Sequence, residues 1–515
     1  MKPYTLIINL SLRSIRVIVF DRKGKKVYED WLPVRTSISG SNVEQDPNEW
    51  WELLQNLLET LSRKKDIASN IRYISVTSSG LCLVMLDDRG TVLGKSIMVS
   101  DKRAGAESTE LSEKFSDYFD KHQNMRAIPS FMMPKILWLK HHEPLIFKNT
   151  SLYMASNDFL IYRLTGKFVT DYLNAEKMYY DVESKKYPAS LLTYIGIRTS
   201  QLPQVEAIGT KIGTAGTPIQ KLLGAGRPIS VAVSTYDAVC ALIGSSTYQP
   251  GELNNVCGTC SSYRMFLPKK HELTGSTLIV QSLPEEKSFI IGGSNNLEGG
   301  VLEWAKECFY GDSYLKDDSF LYGLMQKEAE KSELGAGGII FLPYLLGERV
   351  PFSDPHVRGM FFGVERFTRR GDIIRSIYEA VAFQARLMID EFETSEIEVS
   401  SITMSGGVAK MPFAAKIRSD VLGMPVHVLS EIETTALGAF ILTEKAHGKI
   451  TSIKEGTKHV TVKKTYIPNM HHHNAYSSLF LLYKQLYTTN KALFESKQAV
   501  TEKIINYQKT VLQNL

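Results

Sequence analysis

PISVAVSTYDAVCALIGSSTYQPGELNNVCGTCSSYRMF, which spans Pro228–Phe266, is the most informative stretch of the chain for the fold. Its apolar, β-branched run Ile229–Val233 predicts a buried strand. Asp237 follows directly, where the pattern changes to the small and apolar residues of a helix start. A carboxylate at such a junction lies in the crevice where open α/β sheets bind ligands. Asp237 is therefore either a site residue or the N-cap of the helix, and this stretch favours neither.

The second half of this stretch predicts a boundary between two lobes. Residues 249–252 (Gln-Pro-Gly-Glu) are typical of a turn. A new strand, Leu253–Cys257, follows the turn and ends in Gly258-Thr259. A carboxylate at Asp237 and a Gly-Thr turn beyond the boundary together indicate a phosphoryl-transfer cleft.

Length, composition and charge restrict the class of protein. A chain of 515 residues predicts two or three domains, and 43% apolar with 22% charged residues is typical of a globular protein. The net charge of +5 is small and no dense Lys/Arg tract is present, so no nucleic-acid partner is expected. No apolar run reaches the roughly 18 residues of a membrane helix, so no membrane association is expected.

The cysteines and the N-terminus predict a cytoplasmic protein. The chain enters a strand at its start, without a signal-peptide pattern, and its five cysteines are scattered through apolar segments. Cys257 and Cys260 form a C-x-x-C pair, but neither zinc spacing nor a thioredoxin-like context accompanies it. We therefore expect a structural role for both residues.

The two halves of the chain repeat one order of elements. Three predicted strands form an antiparallel meander at the start, namely Tyr4–Leu10, Ser14–Asp21 and Lys25–Trp31. Four predicted strands between residues 253 and 292 begin the second half, and strand–helix units follow in both. Pro425–Leu429 is the last predicted strand, and from Tyr476 an apolar stripe predicts a helical tail docked on the body. The pattern predicts a two-lobed α/β protein with its cleft near residue 248.

The segment 341–364, FLPYLLGERVPFSDPHVRGMFFGV, closely resembles the signature of the FGGY carbohydrate kinases, ATP-dependent kinases of polyols and ketoses that include xylulokinases. The similarity covers about residues 5–450. Further matches follow in order along the chain, and they are Val43-Glu44-Gln45-Asp46-Pro47 with Trp50-Trp51, Arg163-Leu164-Thr165-Gly166 with Asp171, Gly406-Gly407, and Ala436-Leu437-Gly438-Ala439.

The resemblance implies the fold class and the domain organisation. FGGY kinases have two actin-like, ribonuclease H-like lobes that hold ATP and sugar in the cleft between them. Residues 1–248 would form the N-terminal lobe with the sugar and the catalytic Asp. Residues 249–450 would form the C-terminal lobe with the nucleotide, and residues 451–515 would form a C-terminal helical extension.

The resemblance also implies roles for single residues. Asp237 falls on the family's catalytic carboxylate, which would accept the proton of the attacking sugar hydroxyl beside the metal ion. Gly258-Thr259 falls on the second phosphate loop, where glycine allows a phosphate to approach and threonine offers a hydroxyl. Gly299, Gly406 and Gly407 fall on positions that line the nucleotide, where a Cβ would obstruct it.

The first phosphate loop departs from the family pattern. The family reads Asp-x-Gly-Thr, whereas residues 9–12 are Asn-Leu-Ser-Leu. An Asp there orders Mg²⁺, and the neutral amide of Asn9 loses most of that attraction. Ser11 adds a Cβ where glycine allows approach, and Leu12 removes a hydroxyl. Arg13 either compensates with its charge or faces solvent.

The sugar side also departs in part. Asp101 and Arg103 match the acid and the arginine of the family's sugar-side segment, although they are equally consistent with an N-cap and its neighbour. Ser79-Gly80-Leu81 stands where xylulokinases read Gln-Met-His, so their His is absent. Met411 lies near a position where a polar residue on the adenine side is common.

Two functions follow from these residues. The first is a kinase that uses ATP and Mg²⁺ to phosphorylate a small ketose, sugar acid or polyol, with Asp237 as general base. The second is a degenerate homologue that binds sugar or nucleotide with little transfer. Asp237 and Gly258-Thr259 favour the enzyme, and the loop that begins at Asn9 favours the homologue. The expected partner is a small molecule, and a homodimer is an open alternative to a monomer.

Overall fold

Two mixed β-sheets, one in each half of the chain, organise the fold. The computed structural model describes residues 3–121, 125–273, 275–311 and 317–513. The strands of the first half are β1 (Tyr4–Leu10), β2 (Ser14–Phe20), β3 (Lys26–Pro33), β4 (Ser37–Ser39), β5 (Asn42–Gln45), β6 (Ile71–Ser78), β7 (Val84–Leu86), β8 (Ser96–Ile97), β9 (Leu152–Met154), β10 (Val169–Asp171), β11 (Gln204–Glu206), β12 (Lys211–Thr214) and β13 (Ser230–Val233). Its helices are α1 (Pro47–Ser62), α2 (Lys65–Ala68), α3 (Gly105–Lys114), α4 (Ser116–Lys121), α5 (Met132–His142), α6 (Pro144–Asn149), α7 (Ser156–Thr165), α8 (Tyr172–Glu176), α9 (Ala189–Ile195), α10 (Thr217–Leu222) and α11 (Asp237–Ser245).

The second half has fewer and longer elements. Its strands are β14 (Glu252–Cys257), β15 (Ser261–Leu267), β16 (Ile279–Leu283), β17 (Ser288–Ser294), β18 (Ile340–Leu342), β19 (Met360–Phe362), β20 (Ser401–Ser405), β21 (Val426–Leu429) and β22 (Val462–Tyr466). Its helices are α12 (Gly299–Tyr310), α13 (Asp318–Glu330), α14 (Arg370–Thr394), α15 (Pro412–Leu422), α16 (Thr434–Ala446) and α17 (Met470–Gln513).

The two large sheets share a topology. The first has the strand order β12-β13-β6-β1-β2-β3, with an antiparallel meander from β1 to β3 and with β6 and β13 parallel to β1. The second has the order β16-β17-β15-β14-β20-β21-β22, with β14 antiparallel to β15 and with β20 and β21 parallel to β14. Because parallel strands end at the same edge of a sheet, the loops after β6 and β13 meet in one half and those after β14 and β20 in the other.

Helices α11 and α16 pack between the two sheets at very close range. A Cβ at Gly438 of α16 would lie 1.7 Å from the carbonyl oxygen of Cys240, and one at Gly244 of α11 would lie 2.0 Å from that of Thr434. The two backbones therefore touch at positions where only glycine fits. An apolar cluster from both sheets surrounds this contact, and it includes Ile7, Ile18, Val239, Leu242, Phe266, Ile290, Phe440 and Ile441.

Most predicted elements are confirmed, and the C-terminal end differs in one respect. Pro425–Leu429 is not the last strand, because β22 adds to the edge of the second sheet beside β21. The predicted docking of the tail is confirmed, since Tyr476, Phe480 and Tyr483 of α17 are buried in the core of the second half. Residues 451–515 are therefore not entirely helical, and the domain boundaries near 248 and 450 stay predictions.

The helices of this fold show no membrane span. Among the described residues, none combines the length and the apolar character needed to cross a bilayer.

The contact between α11 and α16 gives the first testable prediction. Gly438→Ala should lower the free energy of unfolding by about 1–3 kcal/mol, because the new methyl group forces two touching backbones apart. Denaturant unfolding followed by circular dichroism measures this change. Gly226→Ala is the matched control, since a Cβ at exposed Gly226 meets no described atom within 4 Å. Equal stability of the Gly438 variant and the wild type would contradict the proposed packing.

Candidate active site

Asp237 lies at the junction of strand and helix that the sequence predicts. It is the first residue of α11, and the N-cap position belongs to Tyr236, so the N-cap interpretation of Asp237 is not supported. Its Oδ1 accepts from its neighbour's amide, Ala238 N, at 2.8 Å, and its Oδ2 accepts from Ser79 Oγ at 3.2 Å. These two donors orient the carboxylate and leave it further lone pairs for a ligand.

Burial and the groups around Asp237 shift the pKa of its carboxyl in opposite directions. Burial raises the pKa of the Asp237 carboxyl, while the Ala238 amide, Lys177, Ser79 and Arg264 counter that rise. Burial also lowers the pKa of the Lys177 ammonium to about 7, with Arg264 acting in the same direction. A carboxylate whose pKa is raised is a stronger base, which is the property a general base needs.

The predicted first phosphate loop is connected to Asp237 through Ser79. The amide of Ser79 donates to the carbonyl oxygen of Leu10 at 3.0 Å, and its hydroxyl donates to Asp237. One residue earlier, Asn9 is 8% exposed, and its Oδ1 has no hydrogen-bond partner within the described part of the chain. The predicted loop therefore offers one amide oxygen without a partner among the described residues, one residue from the backbone contact with Ser79.

The rest of this loop is held by the protein itself. Ser11 Oγ accepts from the amides of Ser14 at 3.2 Å and Arg13 at 3.4 Å, so its hydroxyl engages loop amides. Leu12 packs its side chain against the core of the first half. Arg13 Nη1 lies 2.6 Å from Glu303 Oε1 of α12, across the cleft. Each of these three predicted nucleotide-binding residues therefore makes contacts within the protein itself.

The second phosphate loop and the predicted nucleotide glycines lie together. The amide of Gly299 donates to the carbonyl oxygen of Gly258 at 2.9 Å, and a Cβ at Gly299 would lie 2.3 Å from that oxygen. The amide of Gly300 donates to the carbonyl oxygen of Thr259 at 3.1 Å. Glycine at 299 is therefore required by contact with the neighbouring loop, which is a different reason from the predicted approach of a nucleotide.

The two glycines after β20 differ, because one is in close contact with a neighbouring backbone and the other is not. Gly406 has φ +83°, and a Cβ there would lie 2.7 Å from the carbonyl oxygen of Cys257. At Gly407 a Cβ would meet no described atom within 4 Å, so this glycine borders open space. Met411 is buried in the core of the second half, where Tyr378 Oη approaches its sulfur at 3.8 Å. The structure thus leaves Gly407 exposed and Met411 buried.

A buried ion pair lies next to the predicted second phosphate loop. Arg418 of α15 pairs with Glu298, the residue before α12, and its Nη1 lies 2.9 Å from the sulfur of Cys257. Cys260, which is also a free thiol, lies 2.9 Å from the carbonyl oxygen of Asn296. The structural role that we expected for the C-x-x-C pair is consistent with these contacts.

On the predicted sugar side, Asp101 and Arg103 bind each other. Arg103 Nε lies 2.9 Å from Asp101 Oδ1, and Arg103 Nη2 lies 2.8 Å from both Asp101 Oδ2 and Glu44 Oε1. Asp101 Oδ2 also accepts from the amide of Val43 at 2.6 Å. Ala104 is the N-cap of α3, so the interpretation of Asp101 as that cap is wrong. Asp101 is fully buried and anchors Arg103 rather than standing free for a ligand.

The segment Ser79-Gly80-Leu81 contacts Tyr236 and Asp237 directly. A Cβ at Gly80 would lie 3.2 Å from Cβ of Tyr236, and Leu81 has the left-handed φ of +68°. The buried ammonium of Lys135 donates to the carbonyl oxygens of Leu81 at 2.7 Å and Met98 at 2.9 Å. This lysine fixes the backbone beside Asp237.

Two family models match the chain. The N-terminal domain of the FGGY family of carbohydrate kinases matches residues 4–244, and the C-terminal domain matches residues 253–447. The chain belongs to the FGGY family of carbohydrate kinases.

Curated relatives and solved structures agree with this membership. The xylulose kinase of Bacillus subtilis (strain 168) is 26% identical over 95% of this chain and 98% of its own length. The glycerol kinase of Thermococcus gammatolerans is 28% identical over 91% of this chain and 94% of its own length. Ligand-bound xylulose kinase from Lactobacillus acidophilus matches the fold with a TM-score of 0.86 at 23% identity, over 96% of this chain and 99% of that one. Gluconate kinase from the same organism gives 0.86 at 22%, over 96% and 100%.

The structure of this family member brings out three largely buried cations that the sequence interpretation missed. Lys135 contacts the backbone of Leu81, and Lys177 and Arg264 both act electrostatically on Asp237. The signal for Lys135 was its position in an otherwise apolar helix face, where a charged residue is rarely fully buried without a partner. Lys177 and Arg264 carried no comparable signal, because their proximity depends on how the two halves meet.

Lys135 gives a prediction about the sugar side. Lys135→Met should lower the free energy of unfolding by about 1–3 kcal/mol, since buried carbonyl oxygens of Leu81 and Met98 lose their donor. Denaturant unfolding measures the change, with exposed Lys148→Met as the matched control. A Lys135 variant as stable as this control would show that those carbonyl oxygens find other donors.

Proposed function

We propose that this FGGY kinase transfers the γ-phosphoryl group of ATP to a hydroxyl of a small sugar or polyol, with Asp237 as general base. The hydroxyl oxygen forms the new bond to phosphorus, the bond to the ADP oxygen breaks, and the hydroxyl proton passes to the Asp237 carboxylate. The observation that carries this proposal is the geometry at Asp237. Its carboxylate is oriented by Ser79 and the Ala238 amide and keeps free lone pairs at the cleft between the two sheets.

The residues present also fit a magnesium ion. Mg²⁺ is commonly held by one or two carboxylates together with substrate phosphates and several waters. The free Oδ1 of Asn9 and the carboxylate of Asp237 supply such oxygens. Bound there, the ion would neutralise charge on the phosphate groups, while Asp237 remains the residue that takes the proton.

The cleft also provides charge for phosphates. Burial lowers the pKa of the Lys102 ammonium in the first half, and the nearby guanidinium of Arg349 in the second half lowers it further. Arg349 Nη2 donates to the carbonyl oxygen of Asn295 at 2.8 Å, which fixes the guanidinium in place. We propose that ATP phosphates lie between these cations and open Gly407. A location in the cytoplasm and a homodimer stay predictions.

A degenerate binder is the second candidate function. It is favoured by the first phosphate loop, where the ion pair of Arg13 and Glu303 spans the cleft and Leu12 fills space against the core. Such a protein would bind sugar or nucleotide in the same cleft with little transfer.

Replacement of the proposed general base, Asp237, tests the kinase function. In an active kinase, Asp237→Asn should reduce kcat by about 10²–10⁴-fold while sugar binding persists, because the amide cannot take the proton. Coupled ADP release is measured with ATP, Mg²⁺ or Mn²⁺, and a panel of pentuloses, gluconate and polyols. Exposed Asp88→Asn is the control variant. Near wild-type turnover by the Asp237 variant would remove it from the mechanism.

The metal-side residue gives a prediction of its own. Asn9→Asp should lower the Mg²⁺ concentration for half-maximal turnover, because divalent cations prefer charged oxygen ligands. Asn42→Asp, outside the loop, is the control and should shift it little. An unchanged Mg²⁺ requirement despite measurable wild-type turnover would place Asn9 outside the metal site.

A degenerate binder would behave differently in the same titration. Only the combined Asn9→Asp, Ser11→Gly and Leu12→Thr variant would then gain turnover. If no acceptor in the panel reacts even with that variant, the kinase proposal is wrong for this chain.

A further inference from the structure

The C-terminal helix α17 extends beyond the part of the body that it packs against. Phe494 is its last side chain that the structure describes as buried, and it belongs to the core of the second half. From residue 495 to residue 504, every side chain that the structure describes is exposed. This includes Thr501, which comes seven residues after Phe494 and so lies on the same side of the helix. The packing of α17 on its own body therefore ends near Phe494.

A second apolar stripe runs along this end of the helix. Leu486, Leu493 and Val500 follow one another at seven-residue spacing, and Ile504 comes four residues after Val500. At 3.6 residues per turn they share one side of α17, about a quarter turn from the side that Phe494 occupies. Leu486 is buried, whereas Leu493, Val500 and Ile504 are 63%, 55% and 54% exposed. We call these three exposed residues the distal stripe.

The distal stripe has the spacing of a coiled-coil seam. With Leu493 and Val500 as d positions and Ile504 as an a position, the a and d positions of three heptads are residues 490, 493, 497, 500, 504, 507 and 511. Five of these seven residues are apolar or aromatic in the sequence, and the other two are Asn490 and Lys497. A polar residue at an a position lowers stability but fixes the register and the number of helices. The pattern therefore predicts a weak and specific pairing with another helix.

The charges around the stripe suit a second copy of the same helix. The e and g positions that flank the seam are residues 487, 489, 494, 496, 501, 503, 508 and 510, and Lys503 is the one charged residue among them in the sequence. Charged e and g positions set the choice of partner. Two identical helices repel each other when these positions carry many charges of one sign, which is not the case here.

The shape of the stripe favours the same partner. Two copies related by a twofold axis must meet through a patch that is complementary to itself. A straight apolar stripe along one helix meets this condition, because each copy offers the same row of side chains to the other. Helical segments without tertiary packing are marginal in water, so a second α17 also supplies the packing that the body does not give beyond Phe494.

We propose that the distal stripe is an interface between two copies of this chain, which pair the ends of their α17 helices as a two-stranded coiled coil. Leu493, Val500 and Ile504 of each copy fill the seam, and Lys497 limits its stability. The proposal goes beyond phosphoryl transfer, since none of these residues belongs to the candidate active site.

Sedimentation equilibrium of the full chain from about 1 to 200 μM tests this pairing. Wild type should pass from one to two chains per particle within this range. In Val500→Glu combined with Ile504→Glu, the dissociation constant should rise about a hundredfold or more, because pairing would bury carboxylates. Leu481→Glu is the matched control and should pair as wild type does. Leu481 is 66% exposed on the same helix but lies on another side of it.

A variant with the opposite effect excludes a trivial loss of structure. Lys497→Ile should lower the dissociation constant about tenfold or more, because a β-branched apolar residue at an a position favours two-stranded pairing. Lys491→Ile introduces the same side chain at an exposed outer position of α17 and should change little. Circular dichroism of every variant checks that the fold is retained.

Three results would overturn the proposal. The first is a wild type that stays monomeric over the whole range. The second is a dimer that the double Glu variant leaves unchanged, because the copies would then meet through another surface. The third is equal tightening by Lys497→Ile and Lys491→Ile, which would show association through any added apolar group rather than through the seam.

Discussion

Helices α11 and α16 meet at a distance that only glycine permits, and the geometry of the cleft depends on this contact. Gly244 and Gly438 each face a carbonyl oxygen of the opposite helix, so the two backbones lie in direct contact. Because α11 begins with Asp237, the contact also fixes the carboxylate of Asp237 relative to the second half of the chain. Thr435 Oγ1 of α16 lies 3.5 Å from the carbonyl oxygen of Asp237, at the same junction.

Around this rigid junction, the contacts across the cleft are of two kinds. At its base, buried groups join the halves, as when Tyr236 Oη donates to Gln281 Oε1 at 2.5 Å. Near its mouth, partly exposed ion pairs join them, such as Arg13 with Glu303 and Arg16 with Glu433. Exposed ion pairs contribute only about 0–1 kcal/mol each, so the base rather than the mouth holds the halves in place.

The sequence was sufficient for the fold class and for placing Asp237 at the junction of a strand and a helix, because the apolar run Ile229–Val233 and the change of pattern after it are local signals. It could not show that the carbonyl oxygen of Gly258 leaves no room for a side chain at position 299, because that contact joins distant segments. Nor could it show that the Asp101 carboxylate is occupied by hydrogen bonds to Arg103 and to the amide of Val43. Strand β22 was missed because its five residues, Val462–Tyr466, are mostly exposed and polar on an edge of the sheet.

The central claim is that the cleft aligns an acceptor hydroxyl with Asp237 and with the γ-phosphoryl group of ATP. The most direct measurement is a crystal structure of the chain with Mg²⁺, a non-transferable ATP analogue and an acceptor from the panel. The account predicts one acceptor hydroxyl within about 2.6–3.2 Å of the Asp237 carboxylate, with the γ-phosphoryl group on its far side and in line. An acceptor bound out of reach of Asp237, or a nucleotide bound outside the cleft, would contradict it.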